Sequence, residues 1–315
     1  MARVANLAQN RLIQSVILNT QELLQKKQLQ ISTLQKSQDY AGIAGDSSRV
    51  VTLENSRRRV EEFQSNNSFI QLRIETMINS IAAVKSSVKD MKNLIREILD
   101  DGEVPPGVDQ DEIAATKLSE IEDFLNVKIN GRYLFAGSKT NVKPVQAPEL
   151  DDSATPPAIA FTSNATTAQP SWYYQGDDNT LSTRINEGVE LAYGIQADDP
   201  GFEKAIRAIR IVHAESLPLD TNGEARLQHA LDLINEAEEQ LKNLELNIGI
   251  KLEQLSSTNQ QLKKTKDYAD GIVSDLESAN TFEAVAELTQ NQSMLEASYA
   301  VLVKLSKLTL TSFLR

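Results

Sequence analysis

Apolar residues recur every seven positions along one stretch of the chain: Leu53, Val60, Ile74, Ile81, Val88 and Ile95, with Asn67 standing where an apolar residue is due. A second register, Phe63, Ile70, Met77, Val84, Met91 and Ile98, runs beside it. Two interleaved registers of that period form one stripe on an α-helix, and the helix they predict over 53–99 is about 70 Å long. A buried Asn at position 67 would fix the register of a helix pair at some cost in stability. A partner helix is predicted over 223–266, where Leu227, Ile234, Leu241, Ile248, Leu255 and Leu262 repeat at the same interval. Two long helices with matching seams pair side by side. The expectation is a mainly α protein built on a long antiparallel coiled-coil helical rod.

The intervening segment changes texture twice. "DDGEVPPGVDQDE" stops the first long helix and restarts another, with Asp109 as N-cap and Glu112 three residues on. Leu118, Ile121 and Leu125 line one face of that third helix. From Tyr133 to about Asp178 the helical period disappears into Pro, Thr, Ser, Gly and Asp. "LSTRINEGVELAYGI" then alternates Leu181, Thr183 and Ile185, turns at Asn186-Glu187-Gly188, and alternates Val189, Leu191 and Tyr193, which predicts a β-hairpin. "DDPGFEKAIRAIRIV" predicts a short helix capped by Asp199, with Pro200 in its first turn. The middle of the chain thus reads as a small α+β domain inserted into the helical rod.

Both ends are helical again. Ile13, Ile17, Leu24, Ile31 and Leu34 make a narrow stripe up to the breaker "DYAGIAGDSS". Phe282, Val285, Leu288, Leu295, Tyr299, Leu302, Leu305 and Leu308 make another, and Phe313 and Leu314 extend the apolar end. Met294, Val301 and Val303 widen this last stripe until the helix is apolar nearly all round, and a helix of that kind is buried against something. The predicted organisation is an N-terminal assembly helix (1–40), the first half of the rod (41–132), the mixed middle domain (133–219), the second half of the rod (220–270) and a C-terminal assembly helix (271–315).

Composition narrows the function. The 315 residues carry 32 Lys+Arg against 44 Asp+Glu, a net charge of −12, which argues against nucleic acid or an anionic membrane as partner. The run Arg57-Arg58-Arg59 reads as a solvated helix face. Without cysteine there is neither disulfide nor thiolate ligand, and His213 and His229 have no companion at metal-ligand spacing. The start, "MARVANLAQNRLIQSV", has no cleavable-signal pattern, and no apolar run reaches membrane-span length. The carboxylate pairs Asp100-Asp101, Asp151-Asp152, Asp177-Asp178 and Asp198-Asp199 all sit at turns or caps, and "GDDN" at Gly176 lacks the spacing of a calcium loop. Trp172, Tyr173 and Tyr174 read as a small core under the hairpin, with a sugar-binding platform as the alternative. With no nucleophile elbow, phosphate loop or dinucleotide fingerprint, neither an enzyme nor a cofactor is expected.

"SANTFEAVAELTQNQSMLEASYAVLVKLSKLTLTSFLR" resembles the C-terminal signature of the bacterial flagellin family, which includes flagellin-like hook-associated proteins. "NGRYLFAGSKTNVKP", with Tyr133, Phe135 and Gly137, is similar to the motif that follows the second rod helix in that family. The stretch "KSQDYAGIAGDSSRV" and Val145 depart from its usual pattern, which bears on the choice between a junction subunit and a filament subunit. The resemblance implies export without a cleaved signal peptide, assembly on the outside of the cell, and a cytoplasmic export chaperone on the C-terminal helix. It implies self-association in a ring or helical array, with a neighbouring hook-associated protein and flagellin as partners. Within it a subunit joining the hook side to the filament is favoured over a filament subunit. A secreted coiled-coil binding protein or adhesin is the reading from another class.

An isolated amphipathic helix is marginal in water and needs tertiary burial. Each Leu or Val moved into a core gains about 1.5–3 kcal/mol. The terminal stripes are therefore expected to lack an obvious covering surface in a lone chain, and to order on assembly by packing against each other and against neighbouring subunits.

Overall fold

A computed structural model describes residues 2–102, 104, 107, 109–146, 173–215, 219 and 222–313. The described residues form α1 (Ala2–Thr33), a 3-10 turn (Tyr40–Ile43), α2 (Ser47–Asp101), α3 (Gln110–Leu125), β1 (Lys128–Ile129), β2 (Arg132–Tyr133), β3 (Ser182–Asn186), β4 (Val189–Ala192), α4 (Pro200–His213), α5 (Gly223–Glu277) and α6 (Thr281–Phe313). They divide into two compact units, one of 1–59 with 264–315 and the other of 60–263. Mainly helical architecture with a small β-hairpin, β3–β4, is what the patterning predicts. The helix predicted to end at 266 runs on to Glu277, and the break before the last helix falls at 278–280.

In the unit of 60–263, α2 and α5 lie antiparallel. Lys85 pairs with Glu245 and Lys92 with Glu238, so ascending numbers on one helix meet descending numbers on the other. These ion pairs are partly solvated and contribute at most about 1 kcal/mol each; burial contributes more. Val60, Ile74, Ile81, Val88 and Ile95 of α2 and Leu227, Ile234, Leu241, Ile248 and Leu255 of α5 are all buried. Asn67 is buried among them. Its amide donates to Asn259 Oδ1 at 2.7 Å and to the Ile185 carbonyl at 3.0 Å, so one side chain ties α2 to α5 and to β3.

The same core continues through Leu118, Ile121 and Leu125 of α3, Ile185 and Leu191 of the β3–β4 hairpin, and Phe202 and Ile209 of α4. No boundary at 133 or 219 separates these side chains from the long helices. The β3–β4 pair takes the register Thr183↔Leu191, with a bulge between Arg184 and Asn186. Asp199 caps α4 by accepting from the Gly201 amide at 3.0 Å, and Asp109 caps α3 by accepting from Asp111 and Glu112 amides.

The β1–β2 hairpin has no counterpart among the elements predicted from sequence. Its turn is Asn130-Gly131, both at positive φ (51° and 75°), the arrangement that joins two short strands in line with their twist. The chain then enters the core. Phe135 meets Phe202 edge to face at 5.9 Å, and its carbonyl accepts from the Ala197 amide at 3.0 Å. Gly137 lies at φ 64°, and a Cβ there would collide with the Asp177 carbonyl and carboxylate. Asp177 accepts from the Ser138 amide at 2.7 Å, from the Ser138 hydroxyl and from the Asn179 amide at 3.2 Å. These donors hold its carboxyl well below the usual carboxylate range, at about 2.

Three outcomes follow from this packing. Asn67→Ala removes the partner of two acceptors in a buried layer and should cost about 1–3 kcal/mol, read from denaturant unfolding. Gly137→Ala forces a side chain into a left-handed backbone and should cost about 1–3 kcal/mol from strain alone, read the same way. Because the folded-state pKa of Asp177 is depressed, its contribution is complete above the unfolded value, about 3.9, and disappears as pH falls through about 2. Acid titration of Asp177→Asn should therefore lack the loss of stability that the parent chain shows across that window.

Candidate functional site

The chain's ends form the other unit. Leu34, just past the end of α1, takes φ 60°, a left-handed conformation that turns the chain out of the helix. The segment that follows is stitched to the α5–α6 joint: Ala279 N donates to Leu34 O at 2.9 Å, Lys36 N donates to Glu277 O at 2.7 Å, and Lys36 Nζ reaches Leu276 O at 2.7 Å. Asp39 then caps the 3-10 turn, accepting from the Gly42 amide at 3.0 Å. The Ser37 hydroxyl also donates to it at 2.9 Å and, as the leading cause, lowers its pKa. The Tyr40 hydroxyl donates to Glu54 at 2.7 Å, and that bond raises its own pKa. Arg57, from the basic run, meets Asp270 at 3.3 Å.

Beyond this joint α1 and α6 pack together antiparallel. Gln21 Nε2 donates to the Tyr299 hydroxyl at 2.9 Å, and Lys27 pairs with Glu287 at 2.5 Å. The terminal helices are expected to pack against each other on assembly; here α1 already covers part of the C-terminal stripe within one chain. The physical reason is proximity, since tethering to the joint presents each stripe with the other at high effective concentration.

The pairing divides the residues assigned to the terminal interface. Ile17 and Leu24 are buried inside it. Ile13, Ile31, Leu288, Leu295 and Leu302 are half-buried, while Leu34 and Tyr299 are exposed. The side chains of Leu305, Leu308 and Phe313, and all of Leu314, lie outside the described residues.

The outward surface is made of other residues. Leu12, Leu18, Leu23 and Leu29 of α1 and Val285, Met294, Val301 and Val303 of α6 are exposed, and Phe282, at the start of α6, is 89% exposed. Phe282 and Val285, expected in the C-terminal stripe, are thus on the outer surface, because the stripe of α6 is wider than the face one helix can cover; the exposed leucines of α1 lay outside its predicted narrow stripe. Their signal was present as the second apolar face that makes α6 apolar nearly all round. Among the described side chains, full burial in this pair is confined to Ile17, Thr20 and Leu24 on α1 and Ala284 on α6. The unit therefore presents a broad apolar surface on a chain of net charge −12.

The remaining sequence candidates lie in the other unit. Tyr133 is half-buried under the Lys128 ammonium, 4.3 Å from its ring centre, and Phe135 and Gly137 belong to the core contacts described above. Tyr173 is buried and its hydroxyl donates to Ala197 O at 2.9 Å; Trp172 lies outside the described residues. His213 ends α4 with Nδ1 3.4 Å from Asp111 O. Among the described residues no group of three His, Asp or Glu side chains could hold a metal ion, and no helix is long and apolar enough to cross a membrane.

Comparison with known proteins bears on the same region. Residues 231–314, the greater part of α5 and all of α6, match the family model for the bacterial flagellin C-terminal helical region. Comparison with the curated proteins finds no match. Among solved structures, FlgL from Bacillus cereus superposes with a TM-score of 0.53 at 14% identity, over 72% of this chain and 99% of its own. The flagellar hook-associated protein-3 (HAP-3) of Legionella pneumophila gives a TM-score of 0.54 at 12% identity, over 72% of this chain and 98% of its own. At these identities the likeness shows a shared fold. Residues 231–314 of the chain are thus similar to the flagellin C-terminal helical region, and its fold is similar to that of FlgL and of a hook-associated protein.

Proposed function

We propose that this protein is a structural subunit of the bacterial flagellum that joins the hook side to the flagellin filament. The observation that carries the reading is the coincidence of two features on α6. It belongs to the segment matching the flagellin C-terminal helical region, and it turns Val285, Met294, Val301 and Val303 to solvent. The fold shared with FlgL and HAP-3 favours the junction role over the filament role.

In this reading 1–40 and 271–315 are the assembly segments. Their exposed side chains pack against α1 and α6 of neighbouring copies, against a neighbouring hook-associated protein on one side and against flagellin on the other. Few side chains are fully buried between α1 and α6 of one chain, so the pair sits at the low-stability end of the molecule and gains most of its order on assembly. The apolar surface of α6 also suits capture by an export chaperone, which would keep it from aggregating before passage to the cell exterior. The role is mechanical, and no catalytic step enters it.

The filament-subunit reading stays open because the matching family model is that of flagellin itself. Labelling the protein on intact cells separates the two: one band at the distal end of the hook supports the junction role, and a continuous line along the filament replaces it. Val301→Glu should abolish assembly while the melting temperature of the isolated chain stays within about 2–4 °C, since surface changes shift stability little. A drop much larger than that would place Val301 in a monomer core. Brief proteolysis of the isolated chain should remove roughly the first forty and last thirty residues before 60–263 is cut, because cleavage follows local opening. Uniform resistance would show that the ends are ordered without neighbours.

A further inference from the structure

Asparagine followed by glycine carries a reaction of its own. The backbone nitrogen of the glycine can attack the asparagine carboxamide, because no Cβ stands in the way. The sequence contains that pair twice, at Asn130-Gly131 and at Asn222-Gly223. The fold places the two in opposite circumstances.

Asn130 and Gly131 are both exposed and form the turn between β1 and β2. The Asn130 carboxamide makes no hydrogen bond among the described residues. A Cβ built on Gly131 meets nothing within 4 Å, so there is room beside the turn for a ring to close. Ring closure rotates the Asn130 backbone, and the hairpin must open first. Its strands pair over Lys128↔Tyr133 and Ile129↔Arg132 only, and a ladder this short opens at little cost. Lys128 and Arg132 flank the turn, and nearby positive charge favours the deprotonated amide nitrogen that attacks.

Asn222 stands at the start of α5. Its carbonyl accepts from the Arg226 amide at 3.0 Å. Gly223 is buried, and a Cβ there would meet Leu219 at 2.9 Å and Glu215 at 3.0 Å. Rotating this backbone unwinds the first turn of a helix of 55 residues and disturbs the side chains packed on it.

We propose that Asn130 is a self-modifying site that deamidates without an enzyme, while the fold protects Asn222. The Gly131 nitrogen forms a bond to Asn130 Cγ, the Cγ–Nδ2 bond breaks, and the nitrogen leaves as ammonia carrying the proton lost from the Gly131 amide. Water then opens the five-membered imide. Attack at Cγ gives aspartate; attack at the Asn130 backbone carbonyl gives isoaspartate, whose main chain runs through Cγ. Either product adds one negative charge. Isoaspartate also lengthens the turn, which then no longer sets Ile129 opposite Arg132. Phe135 stays seated against Phe202, so the change is confined to the hairpin. None of this depends on the flagellar reading.

The test follows the full-length chain at mildly alkaline pH, folded and in urea, with mass spectrometry of the peptides covering 130 and 222. Each event replaces an amide NH2 by OH. In the folded chain residue 130 should react at least about tenfold faster than residue 222, and in urea the two rates should converge, since each asparagine then has only its glycine neighbour. Equal rates in the folded chain would overturn the proposal. A ratio that urea leaves unchanged would also overturn it, because sequence alone would then set the difference. Gly131→Ala, read in urea so that the turn plays no part, should slow residue 130 about tenfold and leave residue 222 as it was. An undiminished rate at 130 would show that the Gly131 nitrogen is not the nucleophile and would sink the mechanism.

Discussion

The buried layer around Asn67 shows the constraint on which the larger unit depends. A helix of 55 residues is not stable on its own account; it persists where its apolar stripe is covered. Between 60 and 263 the stripes of α2 and α5 cover each other, and α3, α4 and the hairpins close the remaining sides. A seam of aliphatic side chains repeating every seven residues could slide by one repeat at little cost. Asn67 opposes that slip, because only one register brings its amide to Asn259 and the Ile185 carbonyl. The amide oxygen of Asn67 is itself buried without a partner, a cost borne for the choice of register.

The unit formed by the ends obeys the same rule with less material. One helix of 32 residues meets one of 33, and nothing else in the unit lies along their length to enclose them. Two cylinders in contact hide a stripe on each and leave the rest in solvent. On both helices part of that remainder is apolar: Leu12, Leu18, Leu23 and Leu29 of α1 and Val285, Met294, Val301 and Val303 of α6 lie outside the seam. Such a surface on an acidic chain combines solubility with a strong preference for one kind of neighbour, another helix of the same apolar character. That combination suits a subunit that travels alone and functions in an assembly, the role proposed for it.

The segment from Asn130 to Lys139 works differently from the terminal helices although the resemblance drew attention to both. Its side chains are committed inward: Phe135 to Phe202, the Ala136 carbonyl to Asp177, and Gly137 to a backbone that tolerates no side chain. It is an architectural element, and the molecule's capacity for contact lies on helix faces.

Helix positions, the seam residues and the β3–β4 hairpin were legible in the sequence because each rests on local periodicity or a local cap, and these act within a few residues. The β1–β2 hairpin was also encoded locally, in Asn130-Gly131, but its strands of two residues are too short to show alternation. Which partner each stripe meets is a different kind of fact. The heptads of α2 and α5 said that a helix must cover them and left open how much of 133–219 would join the same core. The stripes of α1 and α6 were visible as apolar lines that would meet on assembly, yet only the tertiary structure decided that they meet within one chain, in a register that buries Ile17 and Leu24 and turns Met294 and Val301 outward. Periodicity specifies that a face must be hidden. The choice of what hides it is made by geometry between elements distant in sequence, where the joint at Leu34–Lys36 and Glu277–Ala279 brings the two ends together.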